Sequence, residues 1–346
     1  GVRSAMPSAQ AYRLCPQAIF VSGDYSEYGT YTRQIREVML EATPLVQMAS
    51  QDEAYLDMTG TERLWGTPMQ MADRVRKSIL EATRLPCSIG AGTNRMIAKI
   101  ASGLCKPRGV LWVPARSEER FLAPLPIKKI PGLGPKGQDK LRSFGVQTIG
   151  DIQALGAEQC ARLFGNHGGE LWERAMGRAS DVVSLEDETK SISHETTFEE
   201  NVGEPERLHA VMSMLAEKVA SRLRKHEFRG TTIGIKFRYV DFETHTAARS
   251  LGAPTDDDRL IAATARDLLA EKWNSERPLR LIGVGVSNLI EGAEQLDLLG
   301  AAGDGGKRQR LLDAMDSLRQ RHGFDSIRSA SSAPRPGKSV YNKEEE

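Results

Sequence analysis

Between residues 191 and 290 the periodicity of the chain changes in an order that few folds can satisfy. Ile192 to Phe198 is strand-like. Glu206 to Glu227 follows as an amphipathic helix, with Leu208, Val211, Met212, Leu215, Val219 and Leu223 on one stripe. Ile233, Ile235, Phe237 and Tyr239 then alternate with Thr232, Gly234, Lys236 and Arg238, as in a half-buried strand. Thr244 to Leu251 is a partner strand, Asp256 to Trp273 a second helix and Arg280 to Leu289 a last strand. The order β-α-β-β-α-β is the split βαβ arrangement, which leaves one sheet face open. Lys236 and Arg238 lie on the polar face of their strand.

The preceding half also mixes helix and strand. Thr30 to Glu41 reads as a helix with Ile35, Val38 and Met39 on one face, and Val46 to Met58 as a strand hairpin. Thr67, Pro68 and Gln70 form a helix start: an N-cap, a proline at the first helical position and the acceptor of a capping box. A strand at Cys87 to Gly90 and a helix from Asn94 to Leu104 follow. This alternation predicts one sheet covered by helices, and the chain as a whole is α+β. From Pro124-Leu125-Pro126 to Gly177 short helices are separated by glycines. Residues 184–190 read as a polar linker. Ala301 to Gly306 is a glycine-rich break, Leu311 to Arg321 a short helix, and the last stretch reads as disordered.

With 346 residues and ~100–200 per domain, two or three domains are expected. No run approaches the ~18 apolar residues of a membrane span. Cys15, Cys87, Cys105 and Cys160 form no CxxC pair, so zinc and a disulfide framework are not expected. Four reduced thiols and no secretory signal fit a cytoplasmic protein. The net charge of +1 hides segregation: residues 84–150 carry 12 basic and 3 acidic side chains, residues 151–200 carry 4 and 11. The basic segment is either a solvated face or a footprint for a polyanion.

Four motifs carry chemistry. Ser50 to Asp57 places Asp52 and Glu53 side by side in an apolar strand segment. Alone, this is an exposed hairpin pair or a site for a divalent cation. Neighbours on a strand point to opposite faces, so both carboxylates reach one ion only at a strand end, turn or bulge. Gly90-Ala91-Gly92 leads into a helix whose N-terminus is either an anion site or a tight turn, and Lys106 follows on a loop with Pro107. Ile130-Pro131-Gly132-Leu133-Gly134-Pro135-Lys136 has the pattern of a helix-hairpin-helix, whose backbone N–H groups grip a DNA phosphate without reading a base. Gln295-Leu296-Asp297-Leu298-Leu299 is a loop or a short peptide for a hydrophobic groove.

In this order the four motifs resemble the Y-family DNA polymerases over nearly the whole chain. The resemblance implies a fingers remnant at 1–24, a partial palm at 25–114, and a helical thumb with a helix-hairpin-helix at 115–183. It further implies a linker at 184–190, a βαββαβ little finger at 191–292, and a clamp-binding peptide with a flexible tail at 293–346. Asp52 and Glu53 become the catalytic and metal-binding carboxylates for two Mg²⁺ ions, and Lys106 contacts the dNTP. Gly132, Gly134, Lys136, Lys236 and Arg238 bind primer–template DNA. Gln295, Leu296, Leu298 and Leu299 bind the sliding clamp. The expected protein is a cytoplasmic monomer that adds dNTPs to a primer in translesion synthesis. The family's first palm motif, with its Asp and its aromatic steric gate, falls upstream of Gly1, and the chain does not begin with Met. An N-terminally incomplete, inactive polymerase is therefore expected. The alternative is a non-catalytic relative that joins DNA to the clamp, and the retained Asp52 and Glu53 argue against it.

Overall fold

The computed structural model describes residues 1–180, 182–184, 189–292 and 305–332. The chain divides into two compact units between Asp187 and Glu188.

The first unit opens with α1 (Ser8–Leu14) and the long α2 (Tyr25–Ala42). A hairpin of β1 (Val46–Met48) and β2 (Ala54–Leu56) follows, then α3 (Glu62–Trp65) and α4 (Pro68–Thr83). Thr67 caps α4 in the expected reciprocal box with Gln70. Next come β3 (Ile89–Ala91), α5 (Arg95–Leu104) and β4 (Val110–Trp112). The expectation of one sheet is not met. β1 and β2 pair antiparallel, β3 and β4 pair parallel, and no ladder joins the two pairs among the described residues. Each strand is only three residues long. A shared apolar layer unites them instead: Val75 and Ile79 of α4 and Val38 and Met39 of α2 pack with Leu56 from one pair and Ile89 from the other.

The rest of this unit is helical: α6 (Glu118–Leu122), α7 (Pro135–Ser143), α8 (Ile149–Phe164), which bends at Gly156, and α9 (Asn166–Ala175). Thr148 and Asp151 form a capping box at the start of α8. One apolar cluster runs from Ile97 and Ala101 of α5 through Leu122, Leu141 and Ile152 to Leu171 and Ala175 of α9. The mainly helical segment therefore shares its core with α5.

The second unit is β5 (Ser191–Val202), α10 (Pro205–Lys225), β6 (Phe228–Tyr239), β7 (Thr244–Thr255), α11 (Asp258–Lys272) and β8 (Leu279–Glu291), in the expected β-α-β-β-α-β order. The antiparallel sheet runs β5-β8-β6-β7. Ile233, Ile235 and Phe237 turn inward onto α10 and α11, while Thr232, Gly234, Lys236 and Arg238 stay on the open face. A further helix, α12 (Gly305–His322), is longer than the short helix expected over Leu311 to Arg321 and buries Leu312 and Met315. The peptide Gln295 to Leu299, most of the Ala301–Gly306 break and the final fourteen residues lie outside the described residues.

Candidate active site

The Asp52–Glu53 pair stands in the loop that joins β1 to β2, at the closed end of the hairpin. The strand expected to contain it begins one residue too late, because β2 starts at Ala54. The N–H groups of Ala49 and Ser50 both bond the Glu53 carbonyl, at 2.8 and 3.1 Å, and close a tight loop over Ser50 to Asp52. Thr32 on α2 braces the loop from outside by donating its hydroxyl to the Gln51 carbonyl (2.8 Å). Side chains at a strand end are released from strict alternation, so two adjacent carboxylates can serve one region of space.

The two acids are held differently. Asp52 is exposed and accepts a hydrogen bond from the Ser50 hydroxyl at 2.6 Å. Glu53 is half-buried, and its Oε1 accepts from two donors: the Tyr55 hydroxyl at 2.7 Å and the Lys99 ammonium. Partial burial pushes the Glu53 carboxyl up, but the hydrogen bonds from Lys99 and Tyr55 and the charge of Lys99 outweigh it and hold the group below its ordinary value. Burial, with the same contact added, pushes the Tyr55 phenol up to about 12. Behind Tyr55 stands Arg95, its guanidinium 5.5 Å from the ring centroid and hydrogen-bonded to Gln47 on β1 at 2.6 Å. Gln47 also accepts the N–H of Ser184 at 3.2 Å.

Lys99, Tyr55, Arg95 and Gln47 were not among the residues expected from sequence. Two signals were present. Tyr55 follows Glu53 at the spacing that returns a strand to the same face, and Arg95 and Lys99 are one helical turn apart. Neither says that α5 faces the hairpin, which is a fact of packing.

α5 starts at its N-cap Asn94, whose side chain accepts the Ile97 N–H at 3.0 Å. The glycines before it serve packing. A Cβ at Gly90 would lie 2.1 Å from the Ala98 carbonyl oxygen, so only glycine lets β3 approach α5 this closely. This favours the tight-turn reading of Gly90 to Gly92 over an anion site. Lys106 is exposed on the loop between α5 and β4, which the Gly109 N–H closes on the Cys105 carbonyl at 3.0 Å. α5 thus carries Lys99 toward the hairpin and ends beside Lys106.

Gly132 and Gly134 lie on the turn leading into α7, Gly132 with φ of 78° and Gly134 as the helix N-cap. No side chain caps α7, Pro135 fills its first position, and Lys136 is exposed. The first free N–H groups of α7 are therefore available to an anion. Lys236 and Arg238 belong to the second unit. The Lys236 ammonium pairs with Glu195 on β5 at 2.8 Å, passing over Gly283 of the intervening β8, and Arg238 donates to the Thr244 hydroxyl at 2.7 Å.

The oxygen donors of Asp52 and Glu53 suit a hard divalent cation, which commonly takes one or two carboxylates and completes its shell with water and phosphate oxygens. Among the described residues no group of three or more His, Cys, Asp or Glu side chains is placed to hold a metal. No helix of the described residues is long and apolar enough to cross a membrane.

Family models match most of the chain: the impB/mucB/samB family over residues 1–103, the IMS family HHH motif over 116–146 and the impB/mucB/samB family C-terminal domain over 189–298. DNA polymerase IV of Desulfatibacillum aliphaticivorans is 37% identical over 332 residues, covering 95% of this chain and 84% of that protein. DNA polymerase IV of Dehalococcoides mccartyi is 37% identical over 330 residues, with the same coverage. Among solved structures, the Y-family DNA polymerase chimera Dbh-Dpo4(243-245)-Dbh shares the fold with a TM-score of 0.75 at 23% identity, covering 84% of this chain and 85% of that one. A hairpin-end acid pair, a helix-hairpin-helix turn and a split βαβ unit, in this order and with these relatives, make the chain a member of the impB/mucB/samB family, the Y-family DNA polymerases, on the side of DNA polymerase IV.

Proposed function

We propose that the full-length protein performs template-directed, translesion DNA synthesis: the 3′-hydroxyl of a primer attacks the α-phosphate of a dNTP, and pyrophosphate leaves. The observation that carries this is the Asp52–Glu53 pair at the hairpin end, with Glu53 fastened by Lys99 from the helix that leads to Lys106. DNA polymerase IV relatives are metal-dependent nucleotidyltransferases, and we assign the ion as Mg²⁺, two per complete site. Bound there, it supplies Lewis-acid polarisation of the reacting oxygens.

The protein's own groups do the rest. Asp52 and Glu53 hold the reacting centre at the hairpin end. Lys106 neutralises charge on the triphosphate. The N–H groups around Gly132 and Gly134, with Lys136, take a backbone phosphate, and Lys236 and Arg238 take others from the open sheet face. These contacts position DNA without reading its sequence. The adaptor alternative is not favoured, since an adaptor has no use for the acid pair. Gln295, Leu296, Leu298 and Leu299 are assigned to the sliding clamp, and the working form is taken as a cytoplasmic monomer.

The test is Asp52→Asn in the full-length protein, with primer extension in Mg²⁺ and a DNA-binding titration run side by side. Nucleotide addition is expected to fall by three or more orders of magnitude with DNA affinity kept within about twofold, because affinity comes from phosphate contacts. Undiminished extension removes Asp52 from the site.

A further inference from the structure

We infer that Lys99 is a positioning residue: it holds Oε1 of Glu53, so that Oε2 is the carboxylate oxygen offered to the metal ion. This rests on the reading of Glu53 as a metal ligand. The geometry adds what that reading does not contain. Both donors to Glu53, the Lys99 ammonium and the Tyr55 hydroxyl, converge on Oε1. A carboxylate gripped at one oxygen by two donors from different elements has its plane set, and its second oxygen becomes the free one. The grip is built from outside the hairpin as well as within it. Lys99 comes from α5, while Tyr55 is pinned by Arg95, which is in turn held by Gln47.

The ammonium also has an electrostatic effect. Lys99 is a unit positive charge bonded to the group that would receive a divalent cation, and it is 40% exposed. It balances the carboxylate before the ion arrives and repels the ion once it is there. Lys99 therefore weakens metal affinity and improves metal placement, two effects with opposite signs in two different measurements. A residue with a merely structural role would move neither in that pattern.

The test uses the full-length protein bound to primer–template DNA, with Mn²⁺ as probe and free Mn²⁺ followed by electron paramagnetic resonance. Lys99→Met is expected to bind Mn²⁺ about three- to tenfold more tightly, the effect of one unit charge removed from a largely solvated site. Its kcat for single-nucleotide insertion is expected to fall about tenfold or more, with DNA affinity unchanged. Lys99→Arg, which keeps the charge and the donor, is expected to restore both values to within about twofold. Tyr55→Phe, which removes a neutral donor, is expected to lower kcat without tightening Mn²⁺ binding. Equal or undetectable Mn²⁺ affinity in the parent and Lys99→Met overturns the inference, as does a kcat that does not respond. Glu53→Gln separates the two levels. If it weakens Mn²⁺ binding while Lys99→Met changes nothing, only the role of Lys99 fails. If neither variant changes Mn²⁺ binding, the assignment of Glu53 as a ligand fails with it.

Discussion

Arg319 of α12 and Glu217 of α10 form an ion pair in which each side chain is only 3% exposed. The pair is the centre of a wider arrangement. Glu217 Oε1 accepts the Ser332 hydroxyl at 2.7 Å and the Ser329 N–H at 3.3 Å. Arg319 Nε donates to the Ile327 carbonyl at 3.2 Å, and its guanidinium lies 4.3 Å from the Phe324 ring centroid. A segment beyond the matched C-terminal domain, which stops at 298, is thereby made part of the second unit.

Removing one partner leaves a buried charge without its mate. Arg319→Met and Glu217→Gln are each expected to destabilise the second unit by about 3–5 kcal/mol. The double variant is expected to lose much less than the sum, since neither charge is then stranded. Denaturant unfolding of the four proteins checks both statements, and additive losses would show that the two side chains act independently.

Lys106→Ala is expected to lower kcat/KM for the dNTP by about 10- to 100-fold, the worth of one hydrogen bond to a charged group. Affinity for primer–template should stay within about twofold, because the proposed partner is the triphosphate. Steady-state kinetics on the full-length protein decide it. An unchanged dNTP dependence would move the triphosphate contact elsewhere.

Lys236 and Arg238 face the open side of the sheet, where Lys236 pairs with Glu195 and Arg238 bonds Thr244 across the strands. Replacing both with Gln is expected to weaken DNA binding for every sequence tested. The slope of log affinity against log salt should shrink by about two, one for each lost phosphate contact. A slope equal to that of the parent would place the contacts on other residues.

Asp151 accepts the N–H groups of Thr148 and Gln147, which hold its carboxyl below the ordinary value of 3.8. A depressed carboxylate stabilises the fold above its unfolded pKa and loses that contribution as pH falls through the folded one. Asp151 is exposed, so the charged share of the cap is on the order of 0.5 kcal/mol. The stability gap between the parent and Asp151→Asn is therefore expected to be constant near neutral pH and to close below pH 3.8. Thermal unfolding across pH 3 to 7 measures it, and a gap that widens on acidification contradicts the sign.

Much of the second unit was legible because its signals are local. Ile233, Ile235 and Phe237 alternate with polar residues, and the stripe from Leu208 to Leu223 repeats at the helical period, so each element declares its buried face within a dozen residues. Thr67, Pro68 and Gln70 announce a helix start for the same reason: a cap and its partner are three residues apart. The acid pair could be singled out because two adjacent charges conflict with an apolar strand. What the sequence left open depends on contacts between distant segments. Whether β1–β2 and β3–β4 join was decided by their packing on α2 and α4. That Lys99 meets Glu53, 46 residues away, was decided by the approach of α5 to the hairpin. α12 shows the limit most clearly. Leu312, Met315 and Arg319 recur at helical spacing on its buried face, but an arginine in that stripe reads as solvent-facing until Glu217 is seen opposite. A charge can be buried only where another part of the chain supplies its partner, and that pairing exists only in three dimensions.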